Sequence, residues 1–311
     1  MAKYILNRLL ISIITVFIII FVLFLMLHNM PGSPFNDEKI TEIQRAALEA
    51  KYGLDKPLPI QFINYLKAMI TGDFGLSYVI QKNMPITELL KVRIPISLQI
   101  GFQAVIVGSF LGILLGIIAA LKRNSVVDSF ATIVSVIGVS FPAYVFALVM
   151  SYYLGYKFKI FPLLYTSSLP FESTIMPTIS LSVFSLATVA RFARTEMVEV
   201  LGSEYMLLVE SKGMGTFRTL FIHGLRNALI PIVTVLAPLT VELMTGSLVL
   251  EQIFSIPGLG SLLVTAIQFN DYNVVMAVVF LYSILFISVM FIVDILYMVI
   301  DPRIRLAKEG Y

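Results

Sequence analysis

The stretch LQIGFQAVIVGSFLGILLGIIAAL, residues 98–121, decides the fold. It carries no charge and is stopped by Lys122 and Arg123. A helix needs roughly 20 mostly apolar residues to cross the hydrocarbon core of a bilayer. Working outward from this stretch, five more apolar segments meet the same test. They are 9–27 behind Lys3 and Arg8, 130–156, 174–190 ending at Arg191 and Arg194, 227–250, and 274–300. The first outruns a signal-peptide core and no small-x-small cleavage site follows, so it reads as a retained span. The expected fold is all-α: a polytopic membrane protein of six transmembrane helices. Composition agrees, with 58% hydrophobic and 13% charged residues. A soluble domain carries roughly 25% charged residues, so a soluble enzyme, a disordered chain and a basic nucleic-acid binder are excluded. Cysteine is absent, which removes disulfides and thiolate metal sites.

The charges set the expected orientation. Twelve Lys/Arg fall at the N-terminus, in the 122–129 loop, in the 191–226 segment and in the tail. The opposite side has only Lys157 and Lys159 in its short loops. Lys and Arg collect in cytoplasmic loops, so both termini are expected in the cytoplasm. The 31–97 segment and the 251–272 loop then face outward. Residues 31–97 hold eight basic and seven acidic residues, with amphipathic helices expected over 37–50 and 59–69. The organisation reads as a first span over 1–30, an extracytoplasmic cap over 31–97, a transmembrane core over 98–300 and a tail over 301–311.

Within the spans, Gly108, Gly112 and Gly116 recur every four residues and line one helix face. Such spacing lets backbones approach closely in lipid, either inside the subunit or against a second one. Pro142, Pro177, Pro231 and Pro238 mark bends. Glu242 lies mid-span, where an ionisable group is costly and signals function. With Thr240 and Thr245 it is a candidate for lining a wet pathway; pairing with a neighbouring subunit is the alternative. Asp294 lies near a span end, within reach of interfacial water or of Arg303 and Arg305.

The 196–226 loop carries the sharpest local pattern. Ser203 is a candidate N-cap, Glu204 suits the first turn, Lys212 the last, and Gly213 the C′ position. Tyr205, Leu208, Val209 and Lys212 fall on one face. A second short helix is expected over 216–222. The helix–Gly–helix unit can dock in a groove on a soluble partner or lie on lipid headgroups.

The run YMLLVESKGMGTFRTLFIHGLRNALIPIVT, residues 205–234, resembles the cytoplasmic "EAA" loop of type I ATP-binding-cassette importer permeases. RLLISIITVF at the first span, MPGSP at 30–34, YGLDKPLPIQFINYLKAMITGDFGLSY at 52–78, RIPISL at 93–98, ARFARTEMVEVL at 190–201, LEQIFSIPGLG at 250–260, VDILY at 293–297 and DPRIR at 301–305 extend the likeness over the whole chain. Together they are similar to the B-type permease of the oligopeptide/dipeptide/nickel group. Leu208, Val209 and Glu210 stand where the family has Glu-Ala-Ala, and Gly213 is kept. The resemblance implies the type I permease fold and a non-catalytic subunit of a bacterial plasma-membrane importer. It makes Glu204, Tyr205, Leu208, Val209, Glu210, Ser211, Lys212 and Gly213 the ATPase-coupling residues. It puts Pro257, Gly258 and Gly260 in a turn at the outer vestibule. The implied partners are a second, similar permease, two ATPase subunits, an extracytoplasmic peptide-binding protein and membrane lipid, with no nucleic acid. The implied substrate is an oligopeptide, with dipeptide, nickel or glutathione as alternatives. No cofactor or metal is expected on this chain. ATP and Mg belong to the partner ATPases, since no G-x-x-x-x-G-K-[ST] loop occurs here.

Two other classes fit less well. An intramembrane hydrolase needs a Ser–His pair or facing aspartates at depth, and His28 and His223 are the only histidines. A self-sufficient secondary transporter is expected to show inverted repeats, whereas only one half of this chain has an enlarged loop.

Overall fold

A computed structural model describes residues 2–30, 42–212 and 219–300. The described residues are nearly all helical and contain no strand. Among the described residues, five helices are long and apolar enough to cross a membrane, and a bent pair makes a sixth if it counts as one span. The chain forms two compact units, one from residues 1–96 and 257–287, the other from 97–256 and 288–311.

The first unit holds α1 (Ala2–His28), α2 (Glu42–Tyr52), α3 (Leu58–Thr71), the opening turns of α4 (Ile86–Leu121), α11 (Leu259–Gln268) and most of α12 (Tyr272–Ile300). The helix expected over 59–69 thus runs slightly longer, and of the one expected over 37–50, residues 37–41 lie outside the described residues. Phe62 of α3 sits among Phe17, Phe21 and Phe24 of α1, with ring centroids 5.7, 5.3 and 5.3 Å away. Around them, Met69, Leu89, Leu262 and Val274 to Val278 complete a buried core.

One buried carboxylate organises the polar side of this unit. Asp271 is fully buried and accepts hydrogen bonds from Ser77 Oγ at 2.6 Å and from the backbone N–H groups of Tyr78, Val79 and Ile80 at 3.1, 3.0 and 3.2 Å. Asn273 Nδ2 donates to the Leu76 carbonyl. Burial pushes the Tyr65 hydroxyl up to about 12 and raises that of Tyr78 too, so the bonded pair stays protonated.

The second unit is built around α7 (Pro170–Leu201). Its buried face is rich in Ser, Thr and Ala, and Ser180, Ser182 and Ser185 each bond back to a carbonyl of the helix. These hydroxyls therefore enter an apolar bundle already satisfied. The smooth glycine face of α4 lies on α7. A Cβ at Gly112 would stand 2.7 Å from the Leu186 carbonyl oxygen, and one at Gly116 would stand 2.6 Å from that of Ala190. Gly108 meets Ser182 and Ser185 in the same way.

Three expectations change. The third span, read as continuous over 130–156, breaks into α5 (Val126–Ser140) and α6 (Ala143–Met150), with α6 running on as a π-helix over Ser151–Lys157. The two limbs meet at 98°. Proline at 142 disfavours helical torsions at the preceding residue, and Phe141 is extended, with φ −92° and ψ 130°. The fourth apolar segment, read as ending at 190, belongs to a helix that continues through exposed Arg191, and through Arg194 paired with Asp128, to Leu201. Of the helix expected over 216–222, the described residues 219–222 are helical but belong to a π-helical segment, Thr219–Leu225, that runs directly into α9 (Arg226–Met244). Residues 213–218 lie outside the described residues.

Candidate functional site

A short helix, α8 (Glu204–Ser211), follows α7 after Gly202 and Ser203. Ser203 starts it through its carbonyl, which accepts from Met206 N–H, while its hydroxyl donates to the Val200 carbonyl. Met206 is fully buried. It and Met197 of α7 flank Gly224 of the π-helical segment; a Cβ there would be 3.8 and 3.6 Å from the two Cε atoms. Tyr205 Oη accepts from Asn227 Nδ2 at 2.7 Å. These two attachments fix which side of α8 turns outward. Leu207 and Leu208 are 62% and 58% exposed, and Glu204, Ser211 and Lys212 are exposed beside them. Val209 is half-buried, Glu210 lies within the helix, and Gly213 is outside the described residues. The outward apolar pair is therefore Leu207–Leu208, with Tyr205 partly engaged by the bundle.

Behind α8, the bundle is cross-linked by polar side chains. Asp128 of α5 receives a two-pronged contact from Arg194 of α7, Nε to Oδ1 at 2.5 Å and Nη2 to Oδ2 at 2.8 Å. Asn124 N–H donates to the same carboxylate at 2.9 Å. Between α4 and α7, Thr178 Oγ1 donates to Gln103 Oε1 at 2.9 Å, and Gln99 reaches Thr174.

The pathway candidates do not gather at one point. Glu242 is exposed in the last turn of α9, before Gly246 with its φ of +86°. A carboxylate at a helix C-terminus faces the negative end of the helix dipole, so it gains from a counter-charge outside its own helix. Thr240 and Thr245 turn their hydroxyls to the carbonyls of Leu236 and Glu242. A different carboxylate, Glu251 of α10 (Leu248–Ile253), is buried and accepts from Ser97 Oγ at 3.3 Å. Asp294 is buried on α12; Arg303 and Arg305 lie outside the described residues. Of the turn expected over Pro257–Gly260, Pro257 and Gly258 are non-helical, and the turn itself falls earlier, at Phe254 and Ser255. Gly258 is the extended N-cap of α11, and Gly260 already belongs to the helix.

Sequence reasoning missed Met206, Asp128, Asp271 and Glu251 as site or anchor residues. Asp128 carried a usable signal: Ser125 three residues before it forms half of an N-terminal cap, with the Ser125 hydroxyl accepting from Asp128 N–H. Its partner Arg194 lies 66 positions away, and no local pattern joins the two.

A helical bundle of membrane-crossing length, with a short helix held beneath it and turned outward, has the build of a transport permease. Residues 112–306 match the family model described as "Binding-protein-dependent transport system inner membrane component", and residues 1–101 match the model of its N-terminal part. The chain belongs to this family, as a B-type permease subunit of the ABC importers for peptides and nickel. It is 41% identical to the dipeptide transport system permease protein of Lactococcus lactis, over 98% of this chain and 100% of that protein. With the dipeptide permease of Bacillus subtilis the identity is 39% over the full length of both. With the oligopeptide transport system permease protein of Haemophilus influenzae it is 37%, over 98% of this chain and 100% of that protein.

Proposed function

We propose that this chain forms half of the translocation pathway of an ATP-driven importer of short peptides in a bacterial plasma membrane. It pairs with a second, similar permease. Two ATPase subunits bind at the α8 end and hydrolyse ATP with Mg. A peptide-binding protein delivers substrate to the opposite side, and both termini of the chain are cytoplasmic. The observation that carries this reading is α8: a helix clamped to the bundle by Met206 and Tyr205 that offers Leu207 and Leu208 to a partner. ATPase closure pushes that helix, and the attached bundle converts the push into a change of access.

The substrate reading is the peptide class. The relatives named for dipeptides and for oligopeptides differ from this chain by similar margins, and selection among peptides rests with the binding protein. Two measurements test the reading. Leu208→Asp is expected to abolish peptide uptake while the chain remains in the membrane, because a charge enters the docking face. Uptake at wild-type level would remove α8 from the coupling role. In the assembled wild-type complex, unlabelled di- and tetrapeptides are expected to compete with a labelled tetrapeptide. Competition by Ni²⁺ or glutathione alone would move the substrate out of this class.

A further inference from the structure

We propose that the Asp128–Arg194 pair is a positioning lock. It makes α5 follow α7 when α8 is displaced, so the stroke reaches the far end of the bundle instead of being lost as slippage between helices. The inference rests on α8 being the coupling helix.

Its basis is the contrast between two helix contacts. Where α5 meets α7 away from the pair, the surface is smooth. A Cβ on Gly138 would stand 2.6 Å from Ala187 Cβ and 3.1 Å from the Val183 carbonyl oxygen. Close small-residue contacts hold helices together but have few protrusions to resist sliding. Along the α5 helix, Ser129, Thr132 and Ser135 turn their hydroxyls to carbonyls of their own helix or its N-cap. By contrast, α4 and α7 are joined by side-chain hydrogen bonds from Thr178 to Gln103 and from Gln99 to Thr174.

The pair itself has the properties of a lock. Two parallel N–H···O contacts fix direction as well as distance. Asp128 is 5% exposed and cannot swing, since Asn124 N–H holds one oxygen while Ser125 caps the same turn. Arg194 lies one helical turn before Met197, the residue that shares the Gly224 contact with Met206 of α8. A displacement of α8 therefore reaches α7 through the Gly224 contact at Met197, one turn from Arg194. The pair and the Gly138 contact lie ten residues apart on α5, about 15 Å at 1.5 Å per residue. The close approach at Gly138 keeps α5 against α7 at that distance, while the pair fixes its register along α7. Beyond Ser140, the Pro142 break joins α5 to α6, whose Ala147 is fully buried.

The test measures peptide uptake and ATP hydrolysis in the same proteoliposomes, holding the complete complex. The forms compared are wild type, Asp128→Asn, Arg194→Lys, and the exchange Asp128→Arg with Arg194→Asp. Both single variants are expected to assemble and hydrolyse ATP near the wild-type rate, while peptide moved per ATP falls about fivefold. Arg194→Lys keeps the charge and loses only the fork, so its loss speaks for geometry. Partial recovery in the exchange supports the pairing. Unchanged peptide per ATP in both single variants would overturn the lock. So would equal losses of uptake and hydrolysis in step with the amount of complex recovered, which would make the pair a folding contact alone. Failure of the wild-type complex to couple ATP to peptide uptake would instead sink the functional reading.

Discussion

At the scale of single residues, fit against a neighbouring backbone decides more than residue type. Gly112 is an example, because a side chain there meets the Leu186 carbonyl and Val189 rather than a movable side-chain tip. Gly112→Leu is therefore expected to separate α4 from α7 and cost about 1–3 kcal/mol. Thermal unfolding of the purified chain in detergent checks this, and an unchanged melting temperature would contradict the contact. The four-residue glycine spacing made this face legible in the sequence. Met206 shows the limit of such reading. Tyr205, Met206, Leu207, Leu208 and Val209 are all apolar or aromatic, so periodicity alone does not say which side turns in. Met197 and Gly224, from two other elements, decide it. Of the stripe read through Tyr205, Leu208, Val209 and Lys212, Leu208 and Lys212 stand exposed and Val209 is half-buried, and Leu207, off the stripe, is exposed as well.

At the scale of elements, run lengths between charges located the spans, and tertiary contacts set their ends. The 98° break at Pro142 was marked in the sequence by the proline, but its size depends on α6 packing beside α7. Similarly, α7 runs past the charges that bound its apolar stretch, and one of them, Arg194, is held by a buried aspartate from another helix. Asp271 makes the same point in the first unit. It lies 194 positions from Ser77, yet it gathers that hydroxyl and three consecutive backbone donors. Asp271→Ala leaves those donors buried without an acceptor, a loss on the order of 3 kcal/mol or more. Asp271→Asn keeps one carbonyl oxygen and is expected to fall between it and wild type. Melting temperatures in that order would support the account, and equal values for Asp271→Ala and wild type would refute it.

At the scale of the whole molecule, scarce charge is the organising feature. Only 13% of residues are charged, and most lie outside the apolar spans. Buried carboxylates are held by specific bonds, as at Asp128 within α5 and Asp271 between α11 and α12, while Glu242 of α9 stands exposed. Under the proposed function, a chain without a P-loop receives its energy through a surface, and the exposed Leu207 and Leu208 of α8 are the surface proposed for it. The central claim is tested most directly in proteoliposomes containing this chain, its partner permease, the two ATPases and the peptide-binding protein. Labelled peptide should cross when ATP is supplied on the side of α8, and an ion gradient without ATP should move none. Peptide uptake by this chain alone, driven by an ion gradient and indifferent to ATP, would contradict the account.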